Sequence, residues 1–288
     1  LTQIQPTQPP GTMPATVRSV NDGTYIYFLV EVEDATQDDV PNKFEFKGGD
    51  AGDDANWTLN VNGQDGLALM FPISSVVEGD EKPNTFDLVG CQVACHTSQQ
   101  TTKYESGMYP TKGSVDIWYW KAGTTNPQGK SDDYYAVGSD GPADVRSTRS
   151  GDVAGRTFSD PNFPVKGSGK MLPISVPGSD NNGFDKNKFI WDNDADAFDA
   201  KKPNPATGKA WAAGDIVPGW KLRVQNNPYS GRGDIEAKGK YSNGKWTIEI
   251  KRALNTKSEN ADDVVLKTDS KIPFSIAYFN NSRKLATF

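Results

Sequence analysis

The sequence predicts an all-β fold, an antiparallel β-sandwich of immunoglobulin-like or γ-subunit-like form with long irregular loops and a large insertion. Three observations predict it. Short segments rich in aromatic and β-branched residues alternate in polarity with a period of two. Gly (28) and Pro (19) punctuate them frequently over 288 residues, as turns require. A period of 3.6 is almost absent, with only 253–262 offering a short helix, and no fixed-period repeat is visible.

Residues 1–14 (LTQIQPTQPPGTMP) are rich in Pro and Gln and read as an N-terminal arm. Residues 15–288 then read as one sandwich domain. Strands are expected at 24–32 (TYIYFLVEV), 43–47 (KFEFK), 57–63 (WTLNVNG) and 66–73 (GLALMFPI). Residues 80–113 read as irregular, and 114–120 (SVDIWYW) as a strand. From about 121 to 215 Gly, Asp, Asn, Ser and Pro dominate and periodicity is lost. That stretch is too long for an ordinary loop. We read it as an irregular but ordered insertion wrapped on the core, because Phe189, Trp191, Phe198 and Trp211 need burial. Strands resume at 217–225, 232–241 and 245–252. Asn243-Gly244 between the last two is the type I′ hairpin signal. Residues 272–280 (IPFSIAYFN) make a final apolar strand.

Composition narrows the function classes. The formal net charge is −6, which disfavours a phosphate backbone as partner and so excludes nucleic acid. No run of 18 apolar residues is present to form a transmembrane segment. Leu1, with no apolar leader, reads as the start of a processed mature chain, which places the protein in the periplasm or outside the cell. One His and two Cys in the whole chain rule out a His₃ zinc site, a bis-histidine haem and a disulfide scaffold.

All three of those residues fall within six positions, Cys91-Gln-Val-Ala-Cys95-His96. A haem c needs two Cys to form thioethers with the porphyrin vinyl groups, followed directly by a His that binds iron. The usual spacing has two residues between the cysteines and this one has three, a rarer form. A Cys91–Cys95 disulfide closing a small loop is the structural alternative and leaves His96 unused. Zinc lacks further Cys or His ligands. A Cys–His nucleophile pair is disfavoured because adjacent residues rarely face one another.

Short segments spread over residues 20–281 resemble the haem-binding domain related to the γ subunit of ethylbenzene dehydrogenase, the small cytochrome subunit of type II molybdenum oxidoreductases. They are 22–28 (DGTYIYF) with 34–36 (DAT), 66–72 (GLALMFP), 90–96 (GCQVACH), 115–122 (VDIWYWKA), 214–219 (GDIVPG), 233–239 (GDIEAKG), 244–254 (GKWTIEIKRAL) and 273–280 (PFSIAYFN). The resemblance implies a β-sandwich that holds one haem near one end and passes electrons. The γ subunits hold a non-covalent haem b between Met and Lys. The Cys-x₃-Cys-His cluster looks like a covalent, c-type branch, so neither that Met ligand nor a molybdenum partner carries over directly.

With His96 as proximal ligand, the distal candidates are Met108, in the loop Gly107-Met-Tyr-Pro110, and Lys284, where the C-terminal segment of the family tends to carry a ligand. Met13, Met70, Met171 and other Lys follow, and an open iron would suit a peroxidase. Trp118 and Trp120 share one face of their strand, as pocket wall or as sandwich core. Asp192, Asp194 and Asp196 alternate like the start of a calcium loop, but an EF-hand would need Gly where Ala197 stands and Glu where Pro203 stands. A solvated acidic loop is the ordinary alternative. Asn56-Trp-Thr58 and Asn280-Asn-Ser282 are glycosylation sequons.

The expectation is a monohaem c-type cytochrome that transfers single electrons outside the cytoplasm, more an electron carrier than a catalyst. Its partner is a redox protein, neighbouring cytochrome subunits or a larger redox complex, and calcium is a further cofactor candidate. The rival classes are a carbohydrate- or protein-binding sandwich with one disulfide, and an open-iron haem enzyme.

Overall fold

The structure, a computed structural model, describes residues 14–79, 84–95, 109–144, 146, 148–152, 157–164, 171–224, 231–257 and 262–282. In chain order the strands are β1 (Ala15–Asn21), β2 (Tyr25–Glu33), β3 (Lys43–Phe46), β4 (Trp57–Asn60), β5 (Gln64–Pro72), β6 (Val77–Glu78), β7 (Asn84–Thr85), β8 (Ser114–Lys121) and β9 (Asp132–Val137). Then follow β10 (Thr148–Gly151), β11 (Ser159–Pro161), β12 (Ser175–Pro177), β13 (Ala195–Ala197), β14 (Ile216–Pro218), β15 (Trp220–Leu222), β16 (Glu236–Ser242), β17 (Lys245–Ala253) and β18 (Ser275–Ser282). Two one-turn helices, α1 (Phe86–Val89) and α2 (Gln92–Cys95), lie between β7 and β8.

Two antiparallel sheets make the sandwich, in the orders β1-β2-β17-β16 and β10-β9-β8-β5-β18. The period of two selects the inner face. In β2 it is Phe28, Val30 and Val32, and in β17 it is Trp246, Ile248 and Ile250, paired across the ladder as Trp246 with Val32, Ile248 with Val30 and Ile250 with Phe28. Leu67, Leu69, Phe71, Trp118 and Trp120 face them from the second sheet in one continuous core. Each large side chain buried this way contributes about 1.5–3 kcal/mol. Asn243 (φ 53°) and Gly244 (φ 72°) form the hairpin between β16 and β17 that their sequence predicts.

The five-stranded sheet is covered on both faces. Its outer face carries a second core of Met70, Val115, Ile117, Tyr134 and Ala136, packed under Phe86, Val93 and Ala94 of the helical segment. A strand buried on both sides cannot show alternation. This explains β9, a strand inside the sheet with all six residues buried, which the sequence reading left inside the irregular insertion. Strand β10, at the edge of the same sheet, comes from that segment too.

Later described parts of the segment pack on a small sheet, β14-β3-β4. There Phe44, Phe46, Trp57, Ile190 and Val217 form a third core, with Phe198 and Trp211 against it. Trp57 meets Trp211 at 5.2 Å and Phe198 at 5.5 Å between ring centroids. The expected strand 217–225 divides at Gly219 into β14 and β15, which join different sheets. A Cβ at Gly219 would sit 2.7 Å from the Asn42 carbonyl oxygen, so only glycine lets the chain turn there. Residues 253–257 and 262, in the segment offered as a helix, are not helical.

Candidate functional site

The Cys91 segment is a kinked pair of helical turns pinned to the sandwich. Gly90, at φ 59° and ψ −137°, ends α1 and lets the chain re-enter α2. Its amide donates to the Phe86 carbonyl at 2.8 Å. The Cys91 amide donates to the Ser275 hydroxyl at 2.9 Å, tying the turn to the first residue of β18. A Cβ on Gly90 would collide with that hydroxyl. Val93 and Ala94 are completely buried in the outer core, and half-buried Cys91 packs against the same cluster.

Cys91 directly precedes the single helical turn that Cys95 ends. For Cys95 the backbone alone is described. His96, Met108, Lys284 and Met13 lie outside the described residues. Of the remaining methionines, Met70 is buried at 4% exposure in the outer core and Met171 is exposed.

Trp118 and Trp120 share a face, as their spacing predicts, but it is the face between the sheets. Ile117 and Tyr119 are the β8 side chains that belong with Cys91. Asp192, Asp194 and Asp196 do not converge. Asp192 accepts from the Val224 amide at 2.8 Å, and Asp194 accepts from the amides of Asp180 and Asn181. Two groups of carboxylates with ligand atoms within 4.8 Å of one another occur among the described residues, and neither includes any of these three.

A cleft of about 770 Å³ opens beside the helical segment, within the ~300–1,000 Å³ usual for small-molecule and cofactor sites. Its walls include Val76, Phe86, Asp87, Lys267 and Lys271, and it reaches Asp263. Strand β6, which also lines it, packs on α2.

Two charged clusters flank the β8–β9 pair, and sequence reasoning found neither. On the outer face buried Asp132 pairs with Lys121 at 2.9 Å and Arg232 at 2.5 Å. Tyr134 donates to Asp132 at 2.7 Å and accepts from Arg232 at 2.7 Å. The Arg149 guanidinium stands 5.0 Å from the same ring. Burial alone would raise the Asp132 pKa, but the Lys121 and Arg232 charges overcome it and hold the carboxyl below its usual range. Lys121, Arg149 and Arg232 thus gather around Tyr134, which belongs to the same outer core as Cys91.

On the inner face Arg252 of β17 is fully buried. It pairs with Asp116 at 3.3 Å, Asp133 at 3.8 Å and Asp263, donates to the Val264 carbonyl at 3.2 Å, and lies 5.0 Å from the Trp118 ring. No local pattern in the sequence announces either cluster, since their members are separated by up to about 150 positions.

The sequence matches the family model described as ethylbenzene dehydrogenase over residues 3–285. No curated protein matches it. No helix among the described residues is long and apolar enough to cross a membrane.

Proposed function

The chain belongs to the ethylbenzene dehydrogenase family, and on that footing we propose that it is a monohaem c-type cytochrome carrying single electrons outside the cytoplasm. One observation carries the reading. Cys91 and Cys95, the chain's two cysteines, bracket a single helical turn directly before its one His.

The residues fit the group. Cys91 and Cys95 would hold the haem through thioethers and His96 would bind its iron. The haem supplies a one-electron couple. The chain's own contribution is positional and electrostatic. Val93 and Ala94 anchor the turn in the outer core, and the Ser275 hydroxyl fixes its start. The apolar bed of Met70, Val115 and Ile117 excludes water on that side. Lys121 and Arg232 beside Asp132, and the Arg149 guanidinium on the Tyr134 ring, set positive charge on the same face of the sheet, which favours the reduced state of a nearby redox centre.

The partner in this reading is a redox protein or a neighbouring subunit, as befits a family named for a dehydrogenase. The test is intact mass and the pyridine haemochrome of the purified chain. One haem retained through acid–acetone extraction is expected, and it falls away in Cys91→Ser/Cys95→Ser. A colourless chain with a Cys91–Cys95 disulfide would refute the proposal in favour of a binding module. Rapid CO binding to the reduced protein would move it to the open-iron class.

A further inference from the structure

Among the described residues, the inner end of the sandwich gathers several buried carboxylates around Arg252. Asp116 projects inward from β8 and Asp133 from β9, with Tyr135 on the same face opposite Asp116. Asp152 follows β10, its amide donating to the Asp133 carbonyl at 3.2 Å. Asp262 and Asp263 come in on the segment after β17, and half-buried Asp234 lies alongside. The first five are at most 6% exposed.

The cluster divides into two groups that share Asp263: Asp116, Asp133 and Asp263, and Asp152, Asp262 and Asp263. Within each, one oxygen from every carboxylate lies within 4.8 Å of the others. Arg252 pairs with all three members of the first group. In the second group Asp263, besides pairing with Arg252, accepts from the Thr256 hydroxyl, and Asp152 is the member that stands apart. Asp152 is 4% exposed, yet among the described residues neither of its oxygens accepts a hydrogen bond. Buried carboxylates left so are costly unless protonated or bound to a cation.

We propose that the Asp152–Asp262–Asp263 group binds a calcium ion, with Arg252 serving as the fixed counter-charge of the neighbouring Asp116–Asp133 pair. The donors are all carboxylate oxygens, the hard set that calcium takes in numbers of six to eight. No nitrogen or sulfur ligand stands in the group, which disfavours zinc and copper. The near-complete burial leaves little room for the waters that magnesium retains. The cleft that reaches Asp263 is the entry path. This site is separate from the Asp192 loop and does not depend on the haem.

The experiment uses the full chain as purified. After EGTA treatment and gel filtration, calcium is added back and the metal is counted by mass spectrometry. One calcium per chain and a Tm that rises with calcium concentration are expected, with equimolar magnesium leaving Tm unchanged. Terbium emission sensitised through nearby Trp118 should appear and be displaced by calcium. Asp152→Asn should weaken calcium binding by at least about tenfold, judged by the 10–100-fold losses seen on removing even outer-shell partners of a metal. Asp192→Asn should leave it unchanged. Wild-type protein that retains no calcium and shows no calcium-dependent Tm overturns the proposal, whether or not the variants fold. So does binding that survives Asp152→Asn and is lost in Asp192→Asn.

Discussion

Replacing Arg252 by methionine keeps the length and apolar stem of the side chain and removes its charge. In the structure that charge is completely buried. It faces Asp116 at 3.3 Å, Asp133 at 3.8 Å and Asp263, and it lies against Trp118. Removing one partner of a buried ion pair costs about 3–5 kcal/mol, because the remaining charge is stranded. The carboxylates share this one cation, so the loss is best taken once, not summed pair by pair. For a chain of this length, at about 2 °C per kcal/mol, the expected fall in Tm is about 6–10 °C.

The pH dependence gives the reasoning its sharper edge. Burial, the largest cause, raises Asp116 to about 6 and Asp133 well above its usual value even with Arg252 present. Without Arg252 both rise further. Protonation relieves the stranded charge, so the deficit of Arg252→Met should be larger at pH 7.5 than at pH 5. Calorimetric Tm values in EGTA, at both pH values and against wild type, measure it. Arg252→Met/Asp263→Asn should recover part of the loss. A fall of less than about 2 °C at pH 7.5, or a deficit equal at the two pH values, would refute the stranded-charge argument.

Three further outcomes follow from the same geometry. Gly239→Ala would drive a Cβ into the Trp120 ring, which is itself locked against Trp246 at 5.1 Å; overpacking of this kind costs about 1–3 kcal/mol in chemical denaturation. Asp132→Asn strands Lys121 and Arg232 and should cost about 3–5 kcal/mol. Because the Asp132 pKa is depressed, that stabilisation is present above the ordinary carboxyl value of 3.8 and is lost as pH falls through the folded value, so the variant should converge on wild type only in acid. The wild-type chain in EGTA should behave in the opposite sense across the inner cluster: the native state holds protons that an unfolded Asp releases near 3.8, so stability falls as pH rises from there through about 6 for Asp116 and Asp234 and about 9 for Asp152. A melting series that rises over that interval would show these carboxyls to be paired by something other than Arg252.

Much of this protein is legible locally. The aromatic alternation of 25–33 and 245–253, and the Asn243-Gly244 turn between β16 and β17, depend on neighbours one to nine positions away, and they set the strands and the hairpin. The Cys91-x₃-Cys95-His96 cluster is equally local, because all three residues fall within six positions. Tertiary structure decided the remainder. Alternation puts Trp118 and Trp120 on one side, but only the second sheet makes that side the interior. Strand β9 shows no alternation because helices cover one of its faces and the sandwich the other. The inner charged cluster draws on β8, β9, β10, β17 and the segment after it, positions from 116 to 263. A carboxylate read along the chain is a solvated group; it becomes a buried group with a raised pKa only when two stacked sheets take the water away.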